Sequence, residues 1–162
     1  MGGLIREYGP ADARSLRQCV VALQEFERSI DPRLRPGEEM ADAYCETIHA
    51  RCRDADGQVF VAEEHGGVVG FVAVLARERF TELDDPPGSY ALITDLVVLP
   101  QHRRRGIGRQ LLERAEAAAR AAGAPELRIG VLAQNAAARR LYLAAQYAPH
   151  LEVFSKRWPA DQ

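Results

Sequence analysis

Ten residues in the middle of the chain, Tyr90–Leu99, restrict the fold more than any other segment, because they are apolar at nearly every position. A strand with one face in water alternates apolar and polar side chains, whereas a strand covered on both faces reads as a continuous apolar run. The segment therefore predicts a central buried strand in a sheet with helices packed on it. It is about half the ~20 residues a membrane-spanning helix requires. After it come Pro100-Gln101-His102-Arg103-Arg104-Arg105-Gly106-Ile107-Gly108-Arg109 and then Ile107–Ala122, rich in Ala, Leu, Glu and Arg. That composition predicts a helix, stopped by Gly123 at the position past its end.

The flanking sequence supplies the rest of a mixed sheet. Leu4–Tyr8 alternates as a strand and ends at Gly9-Pro10. Leu16, Val20 and Leu23 repeat at helical spacing through about Glu27, and Met40, Tyr44 and Ile48 do so after Pro36-Gly37, with the irregular segment Arg28–Glu39 between. Gln58–Glu64 and Val68–Ala76 flank His65-Gly66-Gly67 as a hairpin, and Asp84-Asp85-Pro86-Pro87-Gly88 breaks the chain before the central strand. Leu127, Ile129 and Val131 predict a further strand, Asn135–Ala144 a short helix, and Leu151–Trp158 a final strand. The order β-α-α-β-β-β-α-β-α-β describes one α/β domain with a mixed sheet over residues 1–162, without repeats or linkers.

A length of 162 residues suffices for one core, and 47% hydrophobic with 27% charged residues is the balance of a globular chain. No basic-then-apolar leader opens the sequence, so the expectation is a soluble cytoplasmic protein away from membranes. Met1-Gly2-Gly3 lacks the Ser or Thr that myristoylation requires, since Arg6 stands there. Cys19, Cys45 and Cys52 form no C-x-x-C pair, so buried thiols are expected and no metal site. A net charge of −2 gives no long-range pull on nucleic acid, and the basic run His102–Arg105 is a local patch.

That patch has a specific physical sense. A strand, a glycine-containing turn and a helix N-terminus together form an anion site, because free backbone N–H groups and the positive end of the helix dipole converge there. Gly106 and Gly108 allow close approach of a phosphate, and the arginines add charge-assisted hydrogen bonds. No Lys-Ser or Lys-Thr follows Gly108, and the three-glycine dinucleotide fingerprint is missing, which excludes the two commonest phosphate loops.

Arg103-Arg104-Arg105-Gly106-Ile107-Gly108 resembles the Gln/Arg-x-x-Gly-x-Gly/Ala pyrophosphate loop of the GNAT superfamily of N-acetyltransferases, and Ile93–Pro100 is similar to the cofactor-binding strand of that family. Asn135-x-x-Ala138-x-x-Leu141-Tyr142, followed by Tyr147, resembles its second motif. The resemblance implies the GNAT-like acyl-CoA N-acyltransferase fold, a central mixed sheet flanked by helices with a splayed strand pair. It implies acetyl-CoA as cosubstrate, bound by Leu96, Val97 and Val98 through backbone N–H groups, by Arg103, Arg104, Arg105, Gly106, Ile107, Gly108 and Arg109 at the pyrophosphate, and by Asn135 and Tyr142. Tyr142 matches the tyrosine that faces the cofactor sulfur, where it serves the departing thiolate. Gln146 stands where relatives commonly carry Gly.

The general base is less defined. Related polyamine acetyltransferases place an acidic residue where this chain has Thr94, which cannot act as a base. Asp95 is the nearest carboxylate, although regular alternation sends it to the opposite side of the strand; Glu63 and Glu64 are further candidates, as is a water chain. The resemblance places the acceptor against the first two helices and the last strands. Glu27, Asp31, Glu38, Glu39, Glu82, Asp84 and Asp85 would there favour a cationic amine, small or peptidic, although charge on loops is more often plain solvation. The short end of the chain suggests either an open site or a wall supplied by a second subunit, that is, a homodimer. Rival readings are an acyl-CoA-binding sensor without turnover, which has no need of Tyr142, and transfer of an acyl group other than acetyl.

Overall fold

The protein is described here by a computed structural model covering residues 3–158. The chain opens with strand β1 (Leu4–Glu7). A 3₁₀ turn at Pro10–Asp12 leads into α1 (Ala13–Ile30), which is followed by α2 (Gly37–Asp54). The hairpin β2 (Gln58–Glu64) and β3 (Gly67–Arg79) precedes the central strand β4 (Ser89–Val98). Helix α3 (Ile107–Ala121), strand β5 (Leu127–Ile129) and helix α4 (Ala136–Ala144) complete the order.

The five strands among the described residues lie in sequence order. The pairs from β1 to β4 are antiparallel, and β5 joins β4 in parallel. Apolar side chains of β2, β3 and β4 fill both faces, as the unbroken run in β4 requires. One face packs Phe71, Ala73 and Val97 against Leu16, Cys19 and Val20 of α1 and Ala41 and Ile48 of α2. The other packs Phe60, Val72, Val74 and Ile93 against Ile107, Leu111, Leu112 and Ala115 of α3. The spacing 107, 111, 112, 115 is one stripe of a helix, which is why α3 forms with its polar residues outward.

The final strand expected at Leu151–Trp158 is not formed. These residues are irregular and exposed throughout. Alternation alone does not make a strand, because each added strand needs a ladder to pair with. The neighbour it would require, β5, is only three residues long and ends before Val131.

One irregularity in β4 positions the site. Asp95 pairs with Ala73 while Ile93 pairs with the adjacent Val74, so Thr94 is an inserted, unpaired residue. A bulge of this kind reverses the alternation of everything after it. Ile93 and Leu96 accordingly share the α3 face, and Val97 lies on the α1–α2 face. The backbone turns over as well. Ala91 N–H donates to Glu126 O, on the β5 side, whereas Leu99 N–H donates to Val69 O, on the β3 side.

Candidate active site

Alternation from Leu99 back to the bulge turns the N–H groups of Asp95 and Val97 toward β3, and those of Leu96 and Val98 toward the opposite edge. The β5 register ends at Ile93 opposite Ile129, so that edge is open along Leu96–Val98. This corrects one element of the sequence reading: the Val97 N–H belongs to the β3 ladder, and only Leu96 and Val98 present backbone donors to the gap. Buried backbone groups left unpaired cost about 1–3 kcal/mol each, so a strand-like ligand chain with its own amides fits here. Val98 O is partly satisfied by Arg103 Nε at 2.9 Å, whose guanidinium also lies 5.2 Å from the Phe26 ring of α1.

The open edge leads to the start of α3. Gly106 is its N-cap at φ 81°, with no side-chain cap. The left-handed conformation suits glycine. A Cβ built on Gly106 would meet nothing closer than Gln110 Nε2 at 4.0 Å, so the space beside the first turn is free for a ligand. The N–H groups of Ile107, Gly108 and Arg109 have no intrahelical acceptor by construction. Among the arginines, Arg105 and Arg109 reach Glu64 and Glu113, while Arg104 makes no ion pair among the described residues. Ile107 is buried in the core, so it contributes its backbone and not its side chain. The loop is tied to the β2–β3 hairpin by His102 Nδ1, 2.7 Å from Glu64 Oε2, a bond that holds the Glu64 carboxyl below its usual pKa.

At the other end of the open edge lies a cavity of about 110 Å³ between α1, α2, β4, the segment after β5, and α4. The bulge brings Thr94 and Asp95 to it together, which regular alternation would have forbidden. Glu27, Tyr44, Asn135 and Tyr142 share its wall, with Leu23, Met40, Leu96 and Ile129 as its apolar part. Asp95 is 4% exposed. Its Oδ1 accepts the Tyr44 hydroxyl at 2.8 Å and its Oδ2 accepts Thr94 Oγ1 at 2.7 Å. Burial raises the Asp95 pKa against the pull of these two donors. The Glu27 pKa is raised by burial and by the Asp95 charge, and its carboxylate accepts no hydrogen bond among the described residues. Tyr142, chiefly by burial and then by Glu27, is pushed up to about 12.

Asn135 caps α4, its Oδ1 accepting Ala138 N–H at 3.1 Å, so the helix-cap role weighed from sequence is realised. Gln146 follows α4 at φ 67°, which accounts for the glycine common there in relatives. Most other acidic candidates serve the fold. Asp31 pairs with Arg33, Glu38 with Arg17, and Glu63 with Arg6, while Asp85 accepts the N–H groups of Thr81 and Glu82. Tyr44 has no site role in the sequence analysis, and Glu27 stands there only among the acidic residues facing the acceptor, not as a partner of Asp95. Their signal was positional: Glu27 continues the apolar stripe Val20–Leu23, and Tyr44 sits between Met40 and Ile48 on another. A carboxylate or hydroxyl on the buried face of a helix needs a partner.

A raised carboxylate pKa makes folding favour the protonated form, so the associated stability is present below the unfolded pKa and is lost as pH rises through the folded value. Glu27→Gln should therefore gain stability relative to the unaltered protein between pH 4 and 7. Thermal melts across that range test this; a difference independent of pH would contradict the burial of the Glu27 charge.

A model of the Acetyltransferase (GNAT) family matches residues 20–146. The chain belongs to this family. As a GNAT acetyltransferase it takes acetyl-CoA as its acetyl donor, and the open β4 edge and the free helix terminus fit a pantetheine arm and a pyrophosphate. No curated protein matches the chain. Among solved structures, a tetramutant of the BH1408 protein from Bacillus halodurans is 18% identical with a TM-score of 0.81, over 96% of this chain and 99% of that one. A GCN5-related N-acetyltransferase from Ralstonia eutropha is 21% identical with a TM-score of 0.73, over 96% and 99%. The aminoglycoside acetyltransferase AAC(6')-Iy, in complex with the bisubstrate analogue CoA-S-monomethyl-acetylneamine, is 19% identical with a TM-score of 0.70, over 99% and 100%. At these identities the likeness is one of fold. Among the described residues no helix is long and apolar enough to cross a membrane, and no three His, Cys, Asp or Glu side chains are placed to hold a metal.

Proposed function

We propose that the chain, acting as a single domain, transfers the acetyl group of acetyl-CoA to a primary amine by direct attack with both substrates bound. The observation that carries this reading is the cavity at the end of the open β4 edge, where Tyr142 meets two carboxylates of raised pKa, Glu27 and Asp95. The donor's pantetheine arm is held by the Leu96 and Val98 backbone, with Val97 as strand support, and its pyrophosphate by the loop Arg103–Arg109. Asn135 fixes the start of α4 and thereby the placement of Tyr142.

Acyl transfer needs a neutral amine, stabilisation of charge on the carbonyl oxygen and help for the departing sulfur. An alkylamine with pKa near ~10 is about one part in a thousand neutral at pH 7, which costs roughly 4 kcal/mol of barrier. Seated against the Glu27–Asp95 pair, the ammonium ion has an acceptor for its proton in place as the nitrogen attacks, so the reaction does not wait on the neutral fraction in solution. Both Asp95 oxygens already accept hydroxyl hydrogen bonds, so Asp95 holds the cation while Glu27, with free lone pairs, takes the proton. For Tyr142, a phenol near 12 facing a thiolate near ~8.5 makes full proton transfer uphill by roughly 5 kcal/mol. Tyr142 therefore donates a hydrogen bond to the sulfur. The acceptor is a small cationic amine or the amine of a peptide; the analogue bound by AAC(6')-Iy, an acetylated amine joined to CoA, supports the former. The unpaired cysteines suit the reducing cytoplasm, and a homodimer is part of the reading.

Initial rates with a panel of amines test it. Activity should rise with pH through an ionisation below that of the free amine, and Glu27→Gln should flatten that limb more than Asp95→Asn does. Salt should raise KM for cationic acceptors. A preference for anionic amines, or acetylation of hydroxyls and thiols alone, would refute the cationic-amine reading.

A further inference from the structure

Glu64, one of the carboxylates the sequence offers as a base, does not line the cavity that holds Thr94, Asp95 and Tyr142. It faces the helix-start loop instead, from a stiff mount. Glu64 is the last paired residue of β2, opposite Gly67. The turn between them has His65 at φ 52° and Gly66 at φ 78°, a left-handed pair whose twist suits a tight hairpin. The stem of Glu64 is covered as well. A Cβ added at Gly3 would come within 3.2 Å of Glu64 Cγ, and the Glu64 side chain is 9% exposed. A carboxylate so mounted and enclosed holds its oxygens in one place.

Those oxygens serve a loop with little else to fix it. Apart from the bond of Arg103 to Val98 O, Glu64 accepts the only side-chain hydrogen bonds among the described residues that join Pro100–Gly106 to the rest of the chain. His102 Nδ1 lies 2.7 Å from Glu64 Oε2, and Arg105 Nη1 reaches the same oxygen more loosely at 3.4 Å. An ionised carboxylate can only accept, so Nδ1 carries the proton in the shorter bond. The two bonds straddle Arg104, whose φ of 65° is one that a residue other than glycine keeps only where its neighbours enforce it. Arg104 itself is exposed, two residues ahead of the Gly106 cap.

We infer that Glu64 is a positioning residue for the cofactor: by gripping His102 and Arg105 on either side of Arg104, it keeps the pyrophosphate loop in its binding shape before acetyl-CoA arrives. The sign of its effect separates this role from plain electrostatics. A carboxylate beside an anion site repels the anion and occupies Arg105, so on charge alone its removal would tighten binding. Preorganisation demands the reverse, because a loop that must be ordered on binding loses affinity. The inference rests on the pyrophosphate reading of the loop, and the two fail differently. Normal acetyl-CoA binding by Gly106→Asp sinks that reading, whereas an error about Glu64 alone leaves Gly106→Asp weakened.

Titration calorimetry of the full chain with acetyl-CoA tests the role without reference to acceptor or base. Glu64→Ala should raise the dissociation constant about tenfold, the worth of a charge-assisted hydrogen bond. Glu64→Asp keeps the charge but falls a methylene short, and should lose nearly as much. Glu64→Gln keeps the reach and should recover part of the loss. Acetyl-pantetheine, which lacks the pyrophosphate and is measured by competition, supplies the readout that a folding role would not spare: its dissociation constant should be the same for every variant. His102→Ala approaches the bond from the loop side, which keeps the test readable if Glu64→Ala does not fold. It should give a similar loss, with little added when the two are combined. Tighter or unchanged binding of acetyl-CoA by Glu64→Ala overturns the inference. An equal loss for acetyl-pantetheine overturns it too, as do losses that simply add in the double variant.

Discussion

Gly106→Asp should lower acetyl-CoA affinity by about a hundredfold or more while the fold survives. The left-handed φ of 81° at this residue is one that Asp and Asn adopt at modest cost, and open space receives the new side chain. What changes is charge: a carboxylate now lies beside the α3 amides, where the pyrophosphate must sit. Gly106→Asn is the control, with the same shape and backbone demand but no charge, and should lose far less. Titration calorimetry of both variants with acetyl-CoA and with CoA measures the difference. Equal affinities of the aspartate variant and the unaltered protein would remove the pyrophosphate from this loop. The same site predicts that acetyl-CoA at a hundred times its dissociation constant stabilises the protein by about 2.7 kcal/mol, and that Gly106→Asp at that concentration cuts the gain to about 0.4 kcal/mol or less.

Tyr142→Phe should reduce the rate of the chemical step by about a hundredfold and leave acetyl-CoA affinity nearly unchanged, as expected for loss of a donor used only as the sulfur departs. The ring remains to pack beside Tyr147 at 6.1 Å, so stability should hold. Because the hydroxyl is pushed up to about 12, the profile of the unaltered enzyme should show no loss of activity from Tyr142 ionisation at any pH the fold tolerates. Single-turnover measurements with a good acceptor decide the matter. Full turnover by the phenylalanine variant would make Tyr142 a packing residue.

The central strand, the loop and α3 were legible because each has an unambiguous local cause: an apolar run, a glycine pair at a helix start, an amphipathic stripe. Asn135 as a cap was legible for the same reason. The bulge at Thr94 was not. It carries no glycine, and it shows only as a register step between β3 and β4, a property of two segments distant in sequence. Regular alternation without it sends Asp95 to the opposite side of the strand from Thr94 and gives no reason to separate the Val97 N–H from those of Leu96 and Val98. Glu27 and Tyr44 were readable as oddities on buried helix faces, yet their convergence on Asp95 depends on how α1 and α2 sit over β4. The last strand failed because its pattern is local while its pairing is not, and β5 stops too early to receive it.

The most direct test of the account is to follow acetyl-CoA labelled at its acetyl carbonyl by carbon NMR, in the presence of the enzyme and a primary alkylamine. The account predicts that the thioester carbonyl resonance is replaced by that of an amide, at a rate that collapses when Glu27 and Asp95 are replaced together by Gln and Asn. A thioester that persists, or a signal that moves to free acetate or to an ester instead, would contradict it.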